Sequence, residues 1–227
     1  MEESNDNIIV LEGYFLEKPI FSHVIFGENF YNAPLSVNRL SESKDILNIT
    51  LSSKLLSGRE LKSDTYTKIT GQLRSYNKLV GNKNKLLLTV FARDITFPME
   101  KATEPNSISL TGFVCKEPVY RLTPFGREIT DLLLAVNRPF NKTDYIPVLA
   151  WGRNAKYSQS LKVGEKVHAE GRLQSRNYEK AEEDGTIISK TAYEVSSSVI
   201  YLLSTQEEGN PLPDETNPDL EGNILLS

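Results

Sequence analysis

Cysteine is almost missing from this sequence. Cys115 stands alone, so no disulfide can form within the chain, and a reducing cytoplasm suits it. Histidine is nearly as scarce. His23 and His168 are the only two, and neither sits near Cys115 or a paired-carboxylate pattern, so no zinc-ligand spacing arises. No glycine-rich phosphate loop runs into Lys-Ser or Lys-Thr. These gaps predict no metal, no cofactor and no catalytic residue. No apolar run approaches the ~20 residues that a membrane-spanning helix needs. The opening MEESNDN is acidic and does not read as a signal peptide. Net positive charge is also lacking, at −4 for 227 residues. The acids, however, are gathered at the ends. Taking away six after Ser204 and three before Ile8 turns −4 into +5 for residues 8–203. A mildly basic body with an acidic tail is compatible with a phosphate binder, although many other domains carry as much charge.

What the chain has is an internal repeat. LEGYFLEKPIF from Leu11 matches LTGFVCKEPVY from Leu110 at an offset of 99. The offset holds through LSVNR and LAVNR, ending at Arg39 and Arg138, and through Asp45 and Asp144. After one inserted residue, GQLRS from Gly71 matches GRLQS from Gly171. A period near 100 is the length of a small domain, not of a solenoid repeat. Each copy runs in the same order: strand one (Asn7 to Leu16, Ser107 to Lys116) with a glycine inside it, a strand ending in Val-Asn-Arg, a third strand, a short helix or turn, and two more strands. That order predicts an all-β chain of two tandem OB-folds, five-stranded Greek-key barrels. The expected layout is an N-terminal barrel over residues 1–97, a linker at 98–106, a C-terminal barrel at 107–203 and a disordered acidic tail at 204–227. Between strands four and five the second copy carries a longer excursion, Tyr178 to Ile188, around Asp184-Gly185.

The most informative stretch runs from Asp144 to Arg176. Its AWGRNAKY (Ala150 to Tyr157) and EGRLQSR (Glu170 to Arg176) resemble the bacterial single-stranded-DNA-binding protein family. The resemblance covers residues 107–203, and reaches the first copy only through the repeat. It implies non-enzymatic, sequence-tolerant binding of single-stranded DNA in replication, recombination or repair, in a cytoplasmic, nucleoid-associated protein. It places stacking aromatics at Phe140, Tyr145, Trp151 and Tyr178. Phosphate candidates are Arg127, Arg138, Arg153, Arg172 and Arg176. For each arginine alone, ordinary solvated surface is the simpler reading, and Trp151 alone is equally well explained as barrel core. The family commonly assembles four OB-folds, which implies a homodimer here. Its acidic tail recruits partner proteins, but this chain ends ILLS, which departs from that pattern. Two other readings stay open. One is an OB-fold adapter of a replication-restart assembly that mainly binds proteins. The other is a nuclease using Asp144 and Glu170, which no motif joins.

The repeat also predicts unequal copies. Phe140, Tyr145 and Trp151 fall on Ser41, Ile46 and Ser52, and Tyr178 falls on Lys78. With these faces gone, most single-strand affinity is expected in residues 107–203. Tyr76, or Phe26, Phe30 and Tyr31 on a shifted path, are the substitutes that the sequence offers.

Overall fold

The computed structural model describes residues 6–58, 61–80, 83–181 and 186–203. The acidic tail, Gly81 and Asp184-Gly185 lie outside the described residues. The first copy contains β1 (Asn7–Phe15), β2 (Ile20–Ile25), β3 (Glu28–Asn38), β4 (Lys44–Ser52), α1 (Ser53–Leu56), β5 (Tyr66–Val80) and β6 (Lys83–Thr96). The second contains β7 (Asn106–Val114), β8 (Val119–Leu122), β9 (Glu128–Arg138), β10 (Lys142–Trp151), α2 (Arg153–Ser158), β11 (Lys166–Ala181) and β12 (Ile187–Leu202).

In each copy five long strands close a barrel. In the first, β1 pairs β3, β3 pairs β4, β4 runs parallel to β6, β6 pairs β5, and β5 returns to β1. The second repeats this with β7, β9, β10, β12 and β11. This is the expected OB-fold, with the short helix where the sequence put it. Alternation fills the inside: Leu47, Ile49 and Leu51 of β4 and Ile146, Val148 and Ala150 of β10 are buried in the core. Each barrel gains a sixth, short edge strand, β2 or β8, folded back as a hairpin on the next strand. Gly13 and Gly112 mark bends where the first strand leaves one neighbour for another. A Cβ on Gly13 would run into the carbonyl oxygen of Ser36.

The structure corrects the connection between strands four and five in both copies. The excursion expected from Tyr178 to Ile188 is largely a continued ribbon: β11 extends to Ala181 and β12 begins at Ile187, with Tyr178 opposite Lys190. The shorter one in the first copy is also strand on both sides, with Lys78 opposite Lys85. The linker, too, is packed onto β1: the Glu12 amide donates to Pro105 O at 2.7 Å, and the Ala102 amide donates to Glu12 Oε2 at 3.1 Å.

The two barrels join through their first strands. β1 and β7 pair antiparallel, with Ile9 opposite Ile108, its own counterpart at the offset of 99. The copies are therefore related by a local twofold, and a single 12-stranded sheet runs through both. The Asn7 side-chain amide clasps Leu73 of its own copy, its Nδ2–H donating to the carbonyl at 2.7 Å and its Oδ1 accepting the backbone N–H at 2.9 Å, and Asn106 clasps Leu173 at the same distances.

Candidate nucleic-acid interface

The barrel pattern decides which side chains of the second copy face outward. On β10 the even positions fill the core, so Tyr145, Pro147, Leu149 and Trp151 share the outer face. Trp151 is half-buried, and its indole N–H donates to Ser196 Oγ of β12 at 3.0 Å. Ser196 stands opposite Arg172 on β11, and Gln174, Arg176 and Tyr178 follow Arg172 on the same side. The Arg176 guanidinium lies 5.7 Å from the centre of the Tyr178 ring. The fold thus brings five of the nine residues picked from the sequence onto one face: Tyr145, Trp151, Arg172, Arg176 and Tyr178.

The other four stand at the rims. Phe140 projects from the β9–β10 turn, 91% exposed with φ of +65°. Arg138 stands beside it. At the opposite end of that ribbon, Arg127 ends the turn after β8 and Arg153 opens α2, both exposed. Neither makes an ion pair with another described residue. β10 spans ten residues, about 30 Å at ~3.3 Å each, so the candidates cover a path rather than a pocket.

The arginines are not equivalent. Arg138 and Arg172 belong to a buttress between the copies that the sequence reading missed. Asp144 is fully buried. It accepts the Arg74 Nη1–H at 3.0 Å and the Ser75 amide at 2.6 Å from the first copy, and Arg138 Nε approaches it at 3.2 Å without hydrogen-bond alignment. Across the twofold, Asp45 accepts Arg39 at 2.6 and 2.9 Å, the Ser175 amide at 2.7 Å and Arg172 at 3.4 Å. Burial pushes the Arg74 and Arg172 guanidinium groups down from their ordinary value, whereas the Asp45 carboxylate raises that of Arg39. All remain cations. The buttress could have been found in the sequence: Asp45 and Asp144, and Ser75 and Ser175, are matched positions of the repeat. The same geometry explains Asp144 without nuclease chemistry. It is enclosed by arginines, and Glu170 instead meets His168 Nε2 at 3.2 Å. His168 also bonds Thr111 at 3.0 Å, a structural position.

A groove of about 720 Å³ opens beside the β1–β7 seam, lined by Trp151, Arg172 and Ser196 of the second copy and Arg39, Leu40 and Asp45 of the first. The cations of the face therefore continue across the seam, from Arg172 to Arg39.

A model of the single-strand binding protein family matches residues 105–203. The single-stranded DNA-binding protein of Oceanobacillus iheyensis is 32% identical over 111 residues, which cover 46% of this chain and 67% of that protein. The chain belongs to the single-strand binding protein family. Single-stranded DNA-binding protein 3 of Listeria innocua is 36% identical over 108 residues, 44% of this chain and 66% of that protein. The chain spans about two thirds or less of the length of the curated relatives it matches first. Among solved structures, the wild-type single-stranded DNA binding protein from Thermus aquaticus superposes with a TM-score of 0.68 over 90% of this chain and 96% of that one, at 19% identity. That likeness extends the fold of the family over both copies.

Proposed function

We propose that this chain binds single-stranded DNA without sequence preference and without catalysis, in replication, recombination or repair. Bases stack on Tyr145, Trp151, Tyr178 and Phe140, and phosphates meet Arg176, Arg172, Arg153, Arg127 and Arg138. The observation that carries this reading is the outer face of β10, β12 and β11, where two tyrosines and a tryptophan alternate with arginines. Stacking is sequence-tolerant because every base offers a π face, and it contributes roughly 1–3 kcal/mol per base. Arg138 and Arg172 act there mainly by fixing the face, since each is already paired with a fully buried aspartate, whereas Arg176, 3.6 Å from Glu194 Oε1, keeps its side chain 40% exposed. The barrels at 1–97 and 107–203 are the functional units, and two chains form a homodimer of four barrels. The acidic tail serves as a recruiting segment for replication or repair proteins. The chain works in the cytoplasm on the nucleoid; no helix among the described residues is long and apolar enough to cross a membrane.

Trp151 is the only tryptophan, so it reports directly. Its fluorescence is expected to be quenched on saturation with oligo(dT), because a base replaces water over the indole. An unchanged emission spectrum at saturation counts against stacking at that residue.

The adapter reading is favoured by one observation. β2 is a sheet-edge strand exposed along its whole length, with Ile20, Phe21, Val24 and Ile25 apolar. Changing Phe21 and Val24 to serine separates the two readings: DNA binding persists on the single-strand reading, whereas partner capture is lost on the adapter reading.

A further inference from the structure

The repeat alone makes the first copy look stripped of its stacking residues, but the pairing register gives a different answer. On β12, Ser196 is the partner of Arg172; on β6, the partner of Gln72 is Phe91. The parallel pairs agree, matching Leu149 with Ser196 and Thr50 with Phe91. Phe91 therefore occupies the position of Ser196, the residue that holds the Trp151 indole. Since Ser52 occupies the position of Trp151, the pair Trp151–Ser196 has become Ser52–Phe91. Aromatic and serine have exchanged strands.

Two further exchanges occur on this face, each along one strand, β11 against β5. Arg172 and Gln174 correspond to Gln72 and Arg74. Arg176 and Tyr178 correspond to Tyr76 and Lys78. Each pair keeps its two kinds of side chain and swaps their order on one outward row, so the face retains its chemistry.

We propose that the first copy carries its own stacking face for single-stranded nucleic acid, built on Phe91 and Tyr76 and served by Arg93, Lys78 and Lys85. The proposal rests on the reading of the second copy as a single-strand binder. Phe91 is half-buried against Phe30, ring centres 5.7 Å apart. The exposed His23 ring lies nearly parallel on Phe30 at 5.2 Å, extending the platform. The Arg93 guanidinium is 5.9 Å from the Phe91 ring centre and donates to Gln72 at 3.2 Å, which places a cation beside the aromatic. Tyr76, half exposed, lies four residues along β5 from Gln72, about 13 Å on the same face. Lys78 and Lys85 pair just beyond it. The nearby Glu28 carboxylate is held by Lys54 at 3.0 Å and by Ser52, so it does not oppose a phosphate chain as a bare charge. A basic face with spaced aromatics suits a polynucleotide strand better than a protein partner.

The test uses the full chain with Tyr76→Ser and Phe91→Leu together, and (dT) oligomers of two lengths. One of about 8 nucleotides fits one barrel, and one of about 30 nucleotides needs both. Trp151 quenching by the short oligomer is expected to be unchanged. Affinity for the long oligomer is expected to fall about 30-fold, and the nucleotides covered per chain on poly(dT) to fall by about half. If the double variant fails to fold, Tyr76→Ser alone, on an exposed side chain, is expected to give about a fivefold loss confined to the long oligomer. Wild-type affinity and site size in the folded variant overturn the proposal. Failure of the wild-type chain to bind either oligomer overturns the underlying single-strand reading instead.

Discussion

Replacing Asp144 with alanine is expected to cost the fold about 3–5 kcal/mol, because removing one partner of a buried ion pair leaves the other charge uncompensated. Two cations would be stranded, Arg74, whose side chain is 14% exposed, and Arg138, at 26%. The Ser75 amide would lose its acceptor as well. At about 2–4 °C per kcal/mol for a chain of this size, the thermal midpoint should fall by about 6–20 °C. Asp45→Ala, its twofold counterpart, should behave alike, and calorimetry of both variants checks the claim. A surface substitution such as Glu179→Ala serves as the control and should change stability by less than ~0.5 kcal/mol. A midpoint unchanged by Asp144→Ala would mean that the two copies are not braced by this carboxylate.

Removing the proposed stacking residues of the second copy together should abolish its binding without unfolding it. Tyr145, Trp151 and Tyr178 are partly exposed and lie outside the apolar core, although Trp151 also bonds Ser196. At ~1–3 kcal/mol per lost base stack, the triple alanine variant forfeits about 3–9 kcal/mol for a short (dT) oligomer. That is a loss of about a hundredfold or more. The triple variant is made in the Tyr76→Ser, Phe91→Leu background and compared with that background, because the aromatic face proposed for the first copy would otherwise still hold the oligomer. The measurement is fluorescence anisotropy of a labelled oligomer of about 8 nucleotides. Retained affinity within about tenfold of that background would remove these three residues from the binding account.

The fold was legible because its signals are periodic. Apolar alternation in β4 and β10, the glycine within each first strand and the offset of 99 all point to two barrels. The hairpin arms were harder to see. Tyr178 to Ile188 is polar and turn-rich, and its ladder forms because β11 and β12 extend each other, a long-range pairing with no local pattern. Of the site, residue types were legible but their employment was not. Arg138 and Arg172 looked like surface cations, and only the fold brings them to Asp144 and Asp45. Sequence alignment of the copies also hid Phe91, because the strands carrying Phe91 and Ser196 are separated by connections of different length. Their offset is 105 rather than 99. The seam matters for experiments on isolated halves. Cutting the chain between barrels exposes the β1 and β7 edges and strips Asp144 of Arg74, so a weak isolated half would not by itself locate the binding site.

The proposed function requires this chain to hold single strands by aromatic stacking and phosphate contacts. The most direct test is the affinity of the intact chain for a labelled (dT) oligomer of about 30 nucleotides, measured across a salt series. Sub-micromolar binding is expected at low salt, with a linear fall of log K with log salt concentration at a slope of about −0.7 per phosphate neutralised. Absence of binding at low salt, or an affinity indifferent to salt, would contradict it.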